Sequence, residues 1–480
     1  MKIFSKFISN YGFIFIFISL GIFFRIYNLN YEDFWIDEIL SFWIADPSLT
    51  LSETFQRHNN MEQVPIFFNL ILKYFFKLFG YNAYFSRYLI STFSILSLII
   101  SFLLISNISK KKNSIIFFSL LVSLNIYLIK YSFELRVYSL LFLLICFSIF
   151  YYIKLIDNEK NYQYIIFFIF TFLSIISHPF SLIVFLSMIS HSLIISFKKK
   201  LINKLNFTLF LLFIFSTIYY FFYFLNLNEI TSWITQVDFK FFTNYFFSKF
   251  FGSRILGLLH LSIFLYLIIY FKNKIFNSNL LFFLFIIFYS YILPLIFSFV
   301  VKPILIDRYI IFVILPILII TSYLLFETKN NILNKALASI LLIVTLLNFY
   351  TENPVQQFID SPKKNKPEFS QALKKIDQSE SKNLFIKKFS PNDSSKINFY
   401  RFLDKSVNDY LVHLNRLLDL NLSFIDFDKL KNTKISYIWV LCYSDLDNEN
   451  CNIPMFKKDI SIVKNINFSK INLKKIQIYN

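Results

Sequence analysis

The sequence predicts an α-helical polytopic membrane protein with about eleven transmembrane helices and a small C-terminal α/β soluble domain. Three observations carry that reading. The 480-residue chain is 56% hydrophobic and only 16% charged, whereas about a quarter of the residues of soluble domains are charged. Apolar stretches of roughly the 17–25 residues a bilayer demands recur as far as position 350, and the mean hydropathy is +0.57. Beyond Tyr350 charged and polar residues rise and prolines appear. The apolar runs are continuous instead of alternating, which excludes a β-barrel.

Taken in order, the first apolar run is Tyr11 to Phe24, behind Lys2 and Lys6. Arg25, Ile26 and Tyr27 follow it in place of a small-residue cleavage site, so it reads as a retained helix and not a signal peptide. An outer loop spans 28–63, and residues 65–79 read as an interfacial helix whose Lys73 and Lys77 share one face. Basic clusters at Lys110–Lys112, Lys154/Lys160, Lys198–Lys200, Lys272/Lys274 and Lys329/Lys335 mark cytoplasmic loops. Between them lie outer breaks at Lys130–Arg136, Ser177–Phe180, Asn226–Arg254 and Val301–Arg308. A last run, Ala336 to Phe349, leads outward. The N-terminus is thus expected in the cytoplasm and the C-terminal domain outside the cytoplasmic (inner) membrane. The net charge is +19, and many of the lysines sit in these small clusters between apolar runs, a pattern of membrane orientation and not of nucleic-acid binding.

The expected domains are a membrane domain, 1–350, a linker, 351–366, and an extracytoplasmic α/β domain, 367–480. In the last, NLFIKKF (383–389) and ISYIWVLCY (435–443) read as strands and KINFYRFLD as helix. Cys442 and Cys451 flank a polar loop; outside the cytoplasm they are either a disulfide or two unpaired thiols. Cys146, inside an apolar run, reads as a core residue.

The stretch FWIDEILSFW (34–43) sets Asp37 and Glu38 side by side among aromatic and aliphatic residues. Acids in an outer loop are often simply solvated, as Glu32 and Asp33 nearby read. Trp35, Ile36, Ile39, Leu40, Phe42 and Trp43, by contrast, would hold this pair against an apolar surface, where a carboxylate is suited to general-base work.

The neighbourhood FFRIYNLNYEDFWIDE resembles the start of the membrane-embedded GT-C glycosyltransferases, in the branch of the protein O-mannosyltransferases and lipid A aminoarabinose transferases. There an Arg at the outer end of helix 1 precedes an Asp-Glu pair, matching Arg25 and Asp37–Glu38. QVPIFFNLILKYFFKLFG (63–80) is similar to the family's Pro-initiated helix, followed by a Gly turn and a basic residue, Arg87. The sequence departs from the family in having a single proline here, with His58 seven residues upstream of it. KYSFELRVYSLL (130–141) resembles a turn that carries Glu134, Arg136 and Tyr138. SHPF (177–180) supplies His178, and DRYIIFVILP (307–316) supplies Arg308 and Tyr309.

The resemblance implies an inverting hexosyl or pentosyl transferase whose donor is a polyprenyl-phosphate sugar, with no cofactor or metal required. Its acceptor would be a hydroxyl of a glycolipid, polysaccharide or protein of the cell envelope. Asp37 would act as base, with Glu38 orienting or tuning that site or binding the acceptor. Arg87, Arg136 and Arg308 would clamp the phosphate, since arginine forks suit phosphate oxygens; Lys73 is held in reserve, and Arg25, Glu134, Tyr138, His178 and Tyr309 complete the substrate site. Arginines at helix ends also snorkel without further function. The alternative class is a transporter or flippase of lipid-linked glycans, which would favour broken helices and internal repeats. The chain has only five glycines and shows no repeat between its halves.

Overall fold

The computed structural model describes residues 2–199, 203–225, 249–276, 279–326, 332–348, 366–387, 397–425, 437–443 and 460–479, with positions 234 and 236. Its helices begin with α1 (Lys2–Ile26), α2 (Ile36–Ile44), α3 (Leu51–Met61), α4 (Phe67–Phe79), α5 (Ala83–Ile108) and α6 (Lys112–Ser123). They continue with α7 (Ile126–Tyr131), α8 (Tyr138–Asp157), α9 (Asn161–Ser177), α10 (Ser181–Lys199), α11 (Asn203–Leu225) and α12 (Arg254–Tyr270). The last are α13 (Lys272–Phe276), α14 (Leu280–Val300), α15 (Ile314–Leu325), α16 (Ile332–Leu347), α17 (Phe369–Asp377) and α18 (Ile397–Leu417). A 3₁₀ segment, Asp307–Val313, leads into α15.

Among the described residues, five helical stretches are long and apolar enough to cross a membrane: Ala83–Ile108, Tyr138–Asp157, Lys204–Tyr223, Leu280–Val300 and Asp307–Leu325. Six shorter ones of 10–17 residues accompany them, from Gly12–Ile26 to Ile332–Leu347. Among the described residues that makes eleven apolar helices, as the sequence predicts. One crossing differs in form, because the run after Lys112 breaks at Leu124. There the Asn125 side chain accepts the Leu128 N–H at 3.0 Å and starts α7 as a separate short helix. A side chain that offers the backbone a local acceptor competes with helix continuation.

The chain divides into two compact units. The first gathers residues 1–27, 63–68 and 87–360. Its apolar helices are held by packing and by buried polar pins. Gly21 brings α1 against its neighbours, for a Cβ there would lie 2.8 Å from Leu98 Cδ2 and 2.9 Å from Ser123 Oγ. One turn later, Arg25 is 1% exposed. Its guanidinium donates to the carbonyls of Gly21 (2.8 Å), Ser123 (3.0 Å) and Val122 (3.2 Å) and to Ser94 Oγ (3.0 Å). Ser91 Oγ in turn donates to the Arg25 carbonyl at 2.6 Å. In a low-dielectric interior a charge persists only when surrounded by such acceptors.

The second unit gathers 28–62, 69–86 and 361–480. The loop 28–63, which the sequence reading sets with the membrane domain, therefore clusters with the C-terminal residues. A five-stranded sheet of order β2-β1-β3-β5-β4 forms its frame: β1 (Asn383–Ile386), β2 (Ser423–Phe424), β3 (Tyr437–Tyr443), β4 (Ile460–Phe468) and β5 (Ile471–Ile478). β1 runs parallel to β2 and β3, while β3–β5 and β4–β5 are antiparallel. The strands expected at 383–389 and 435–443 appear as β1 and β3. The β4–β5 hairpin was not anticipated from its Lys- and Asn-rich sequence; a two-residue turn closes it, with Lys470 at φ 58°.

An aromatic cluster fills this unit's interior beside the sheet. Phe42 stacks on Tyr81 at 4.1 Å and meets Phe76 edge-on at 5.4 Å, and His413 lies 4.9 Å from Phe42. Such pairs add roughly 0.5–1.5 kcal/mol each beyond area burial. The amphipathic α4 begins at Phe67, two residues later than the sequence suggests, and ends at Gly80, whose φ of 91° few other residues adopt. The anticipated linker 351–366 lies outside the described residues except for Lys366.

Candidate functional site

In the first unit, three of the breaks between apolar helices bring their singled-out residues together. Each owes its place to a local irregularity. Tight turns with Ser132 N–H on the Ile129 carbonyl and Phe133 N–H on the Lys130 carbonyl halt α7 before Glu134, Arg136 and Tyr138. His178 ends α9 in extended geometry, since Pro179 disfavours a helical residue before it. Arg308 and Tyr309 lie in the 3₁₀ segment, kinked at Ile310.

The three stretches converge on one group of rings. Tyr309 lies 4.9 Å from His178, 5.2 Å from Phe180 and 6.3 Å from Tyr138. The Arg308 guanidinium sits 5.9 Å over the Tyr138 ring, and Tyr131 meets Tyr138 edge-on at 5.2 Å. Arg136 and Arg308 both lie within electrostatic reach of His178. Arg136 is 8% exposed, Glu134 6% and His178 1%.

The histidine has a defined tautomer. Its Nδ1 accepts the Phe180 N–H at 3.2 Å, so the proton of the neutral ring sits on Nε2, which meets no hydrogen-bond partner among the described residues. Burial, followed by Arg136 and Arg308, pulls its pKa down to about 3. The ring is therefore a neutral N–H donor at ordinary pH.

Two features escaped the sequence reading. Asp307 accepts the Tyr127 hydroxyl at 2.9 Å, and Tyr127 approaches Tyr131 at 3.5 Å. Asp307 and Glu134 are both electrostatic neighbours of Tyr131, as is Arg308. The only sequence sign was the adjacency of Asp307 to Arg308; nothing linked it to a tyrosine 180 positions earlier. The result is a wall of tyrosines carrying two guanidiniums, one imidazole N–H and two carboxylates.

The remaining singled-out residues are placed differently. Arg25 spends its donors on carbonyls and Ser94, so no fork is left for a phosphate. Arg87 is buried in the early turns of α5, one turn before Ser91. Lys73 belongs to the second unit, where its ammonium donates to the carbonyls of Asp46 and Leu49, each at 2.7 Å. Burial lowers its pKa first, with Lys77 adding to the effect. Lys77 is exposed beside the Tyr74 ring at 5.5 Å, as an interface anchor would be. His58 is buried and paired with Asn69 at 3.1 Å.

The acid pair also lies in the second unit, in the first turn of α2. Asp37 is half-buried. Glu38 is 0% exposed; it accepts the Trp35 N–H at 3.3 Å and pairs with Lys366 Nζ at 2.7 Å. Glu32 and Asp33, which read as solvated, are 6% and 9% exposed, and Asp33 accepts both the Ser370 N–H (2.7 Å) and hydroxyl (2.5 Å). Cys442 is buried on β3, and Cys451 lies outside the described residues. Cys146 is a free, buried thiol, as expected.

Two solved structures align with the chain end to end: ArnT from Cupriavidus metallidurans bound to undecaprenyl phosphate, and the same protein in the apo state. Each has a TM-score of 0.58 and covers 97% of this chain and 98% of its own, at 10% and 11% identity. The chain has the GT-C fold. It is thus a multi-pass membrane protein with a C-terminal α/β domain, as composition and hydropathy predict. The archaeal oligosaccharyltransferase AglB from Archaeoglobus fulgidus, in complex with an inhibitory peptide and a dolichol-phosphate, aligns at TM-score 0.46. Its identity is 8%, covering 91% of this chain and 70% of its own, a likeness too slight to argue from. No protein-family model matches the chain, and no curated protein does.

Proposed function

We propose that this GT-C protein is an inverting glycosyltransferase. It would move a sugar from a polyprenyl-phosphate donor to an acceptor hydroxyl at the outer face of the cytoplasmic membrane. The observation that carries the reading is the convergence of Arg136, Arg308 and the His178 N–H on one tyrosine-walled group, on a fold whose solved example binds undecaprenyl phosphate.

In this mechanism Asp37, nominated by the sequence resemblance, would take the proton of the acceptor hydroxyl. The oxygen attacks the anomeric carbon opposite the phosphate, and the carbon–oxygen bond to the phosphate breaks as the new one forms, inverting the configuration. The electron pair leaves with the phosphate as polyprenyl phosphate. Arg136, Arg308 and the His178 N–H receive the developing charge, an arrangement that is effective because the donors are already in place. Tyr138 and Tyr309 flank the sugar-phosphate, and Glu134 and Asp307 set two carboxylates beside Tyr131. Arg25 and Lys73, both engaged by carbonyls, brace helices. The N-terminus lies in the cytoplasm and the α/β domain outside, where it meets the glycolipid, polysaccharide or protein acceptor.

The purified protein in detergent should release polyprenyl phosphate from a radiolabelled polyprenyl-phosphate sugar when acceptor is supplied. Asp37→Asn should slow that release about 10²- to 10⁴-fold, the usual contribution of a general base. Donor left intact by the wild-type protein, with envelope extract as acceptor, would reject the transferase reading; near-normal turnover by Asp37→Asn would remove Asp37 from it.

A further inference from the structure

Helix α2, which carries the acid pair, is nine residues long, too short to be stable alone. Within the second unit it is held at both ends by residues 328 to 376 positions away. At its start, Lys366 Nζ lies 2.7 Å from Glu38 Oε2, the lysine side chain 13% exposed and the glutamate 0%. Just before it, Phe34 stacks on Tyr410 at 5.4 Å and donates its N–H to the Tyr410 hydroxyl at 3.3 Å. At its end, Trp43 Nε1 donates to Asp409 Oδ2 at 2.8 Å, while the Arg57 guanidinium covers the Trp43 ring at 4.0 Å.

A carboxylate with no solvent contact keeps its charge only against a partner, and removing one member of a buried pair leaves the other uncompensated. Glu38 also reaches back to the Trp35 N–H, so its position and the first turn of α2 are one geometric fact. Asp37 is the residue before it. We infer that Lys366 is a positioning residue: by neutralising Glu38 it fixes the first turn of α2, and thereby the direction in which Asp37 presents its carboxylate. The C-terminal domain is then part of the catalytic apparatus, acting through Lys366, Asp409 and Tyr410, and not an appended binding module. What Asp37 does with that direction rests on the function proposed above; the holding of α2 does not.

The full-length protein tests this with two readouts. The first is transfer from the labelled lipid-linked donor by Lys366→Met, Lys366→Arg and the double variant Glu38→Gln/Lys366→Met. Lys366→Met should lose about a hundredfold in kcat with donor KM unchanged, the scale of a 1 Å misplacement. Lys366→Arg should recover to within about tenfold of wild type, and the double variant should exceed Lys366→Met because no charge is left stranded. The second needs no turnover: an Asp37→Cys reporter labelled with a membrane-impermeant maleimide, with the labelling of the parent protein, whose cysteines are Cys146, Cys442 and Cys451, subtracted as background. Its labelling rate should change at least about tenfold when Lys366→Met is added. Unchanged kcat and unchanged labelling overturn the inference. A wild type that never consumes donor, with labelling still dependent on Lys366, rejects the transferase reading and leaves the clamp standing. Should Lys366→Met not purify as a monodisperse species, the milder Lys366→Gln, which removes the charge and keeps a hydrogen-bond donor, decides: normal kcat and normal labelling there overturn the inference.

Discussion

His178 shows what burial does to a single side chain. With Nδ1 already accepting a backbone N–H and burial holding its pKa down to about 3, it offers one fixed N–H at neutral pH. Arg136 and Arg308 beside it supply the charge an imidazole then lacks. Hydrogen bonds to charged groups contribute roughly 1.5–3 kcal/mol each. Arg136→Ala and Arg308→Ala should therefore each raise the apparent donor KM about ten- to a hundredfold in a donor titration. An unchanged KM in both would dissolve the clamp. The same reasoning separates these arginines from Arg25. All of them sit near helix ends in the sequence, where resemblance alone put Arg136 and Arg308 in the clamp and Arg25 in the wider substrate site. Only the partners differ: Arg25 meets three carbonyls and a serine hydroxyl, whereas Arg308 faces a tyrosine ring.

At the level of elements, α1 illustrates how a buried cation serves as a fastener. Gly21 permits close approach and Arg25, one turn on, hydrogen-bonds the C-terminal end of α6 and Ser94 of α5. Arg25→Met strips four acceptors of their donors and should cost about 3 kcal/mol or more. In detergent that appears as a lower Tm; a Tm unchanged from wild type would deny the fastening role. The helices were legible because hydropathy over a bilayer's width is a local, cumulative signal. β1 and β3 were legible for a related reason, as short apolar runs between polar ones. β4 and β5 were not: ISIVKNINF is largely exposed along its middle, so its strand character comes from pairing with β5 and not from burial of a face. The break at Asn125 escaped because a cap inside an apolar run leaves hydropathy unaltered.

Across the whole molecule, the second unit is assembled from three stretches separated by long intervals of sequence. His413 reports on its integrity. Burial first, and then Arg416, hold its pKa down to about 4, with Asp46 opposing them. Its Nε2 accepts the Ala83 N–H at 3.4 Å, and its ring lies against Phe42 and Tyr81. The folded pKa is below the unfolded value of about 6.5, so stability is full above that pH. As pH falls from about 6.5 to about 4 the unfolded chain takes up a proton that the folded one refuses, and stability drops. Thermal unfolding across that range should show the decline, and His413→Gln should flatten it relative to wild type. An identical pH dependence in the variant would exclude His413 as the titrating group.

Residue types and their order along the chain were enough to establish a polytopic helical protein of about eleven apolar helices with an α/β tail, because the bilayer imposes a length and polarity that each segment must meet by itself. They also nominated the acid pair and the cations. Which cations gather round His178, which are enclosed by carbonyls, and that Glu38 answers to Lys366 were decided in three dimensions alone. Hydropathy adds up residue by residue, whereas the role of a charge depends on the few atoms around it, and those come from distant parts of the chain.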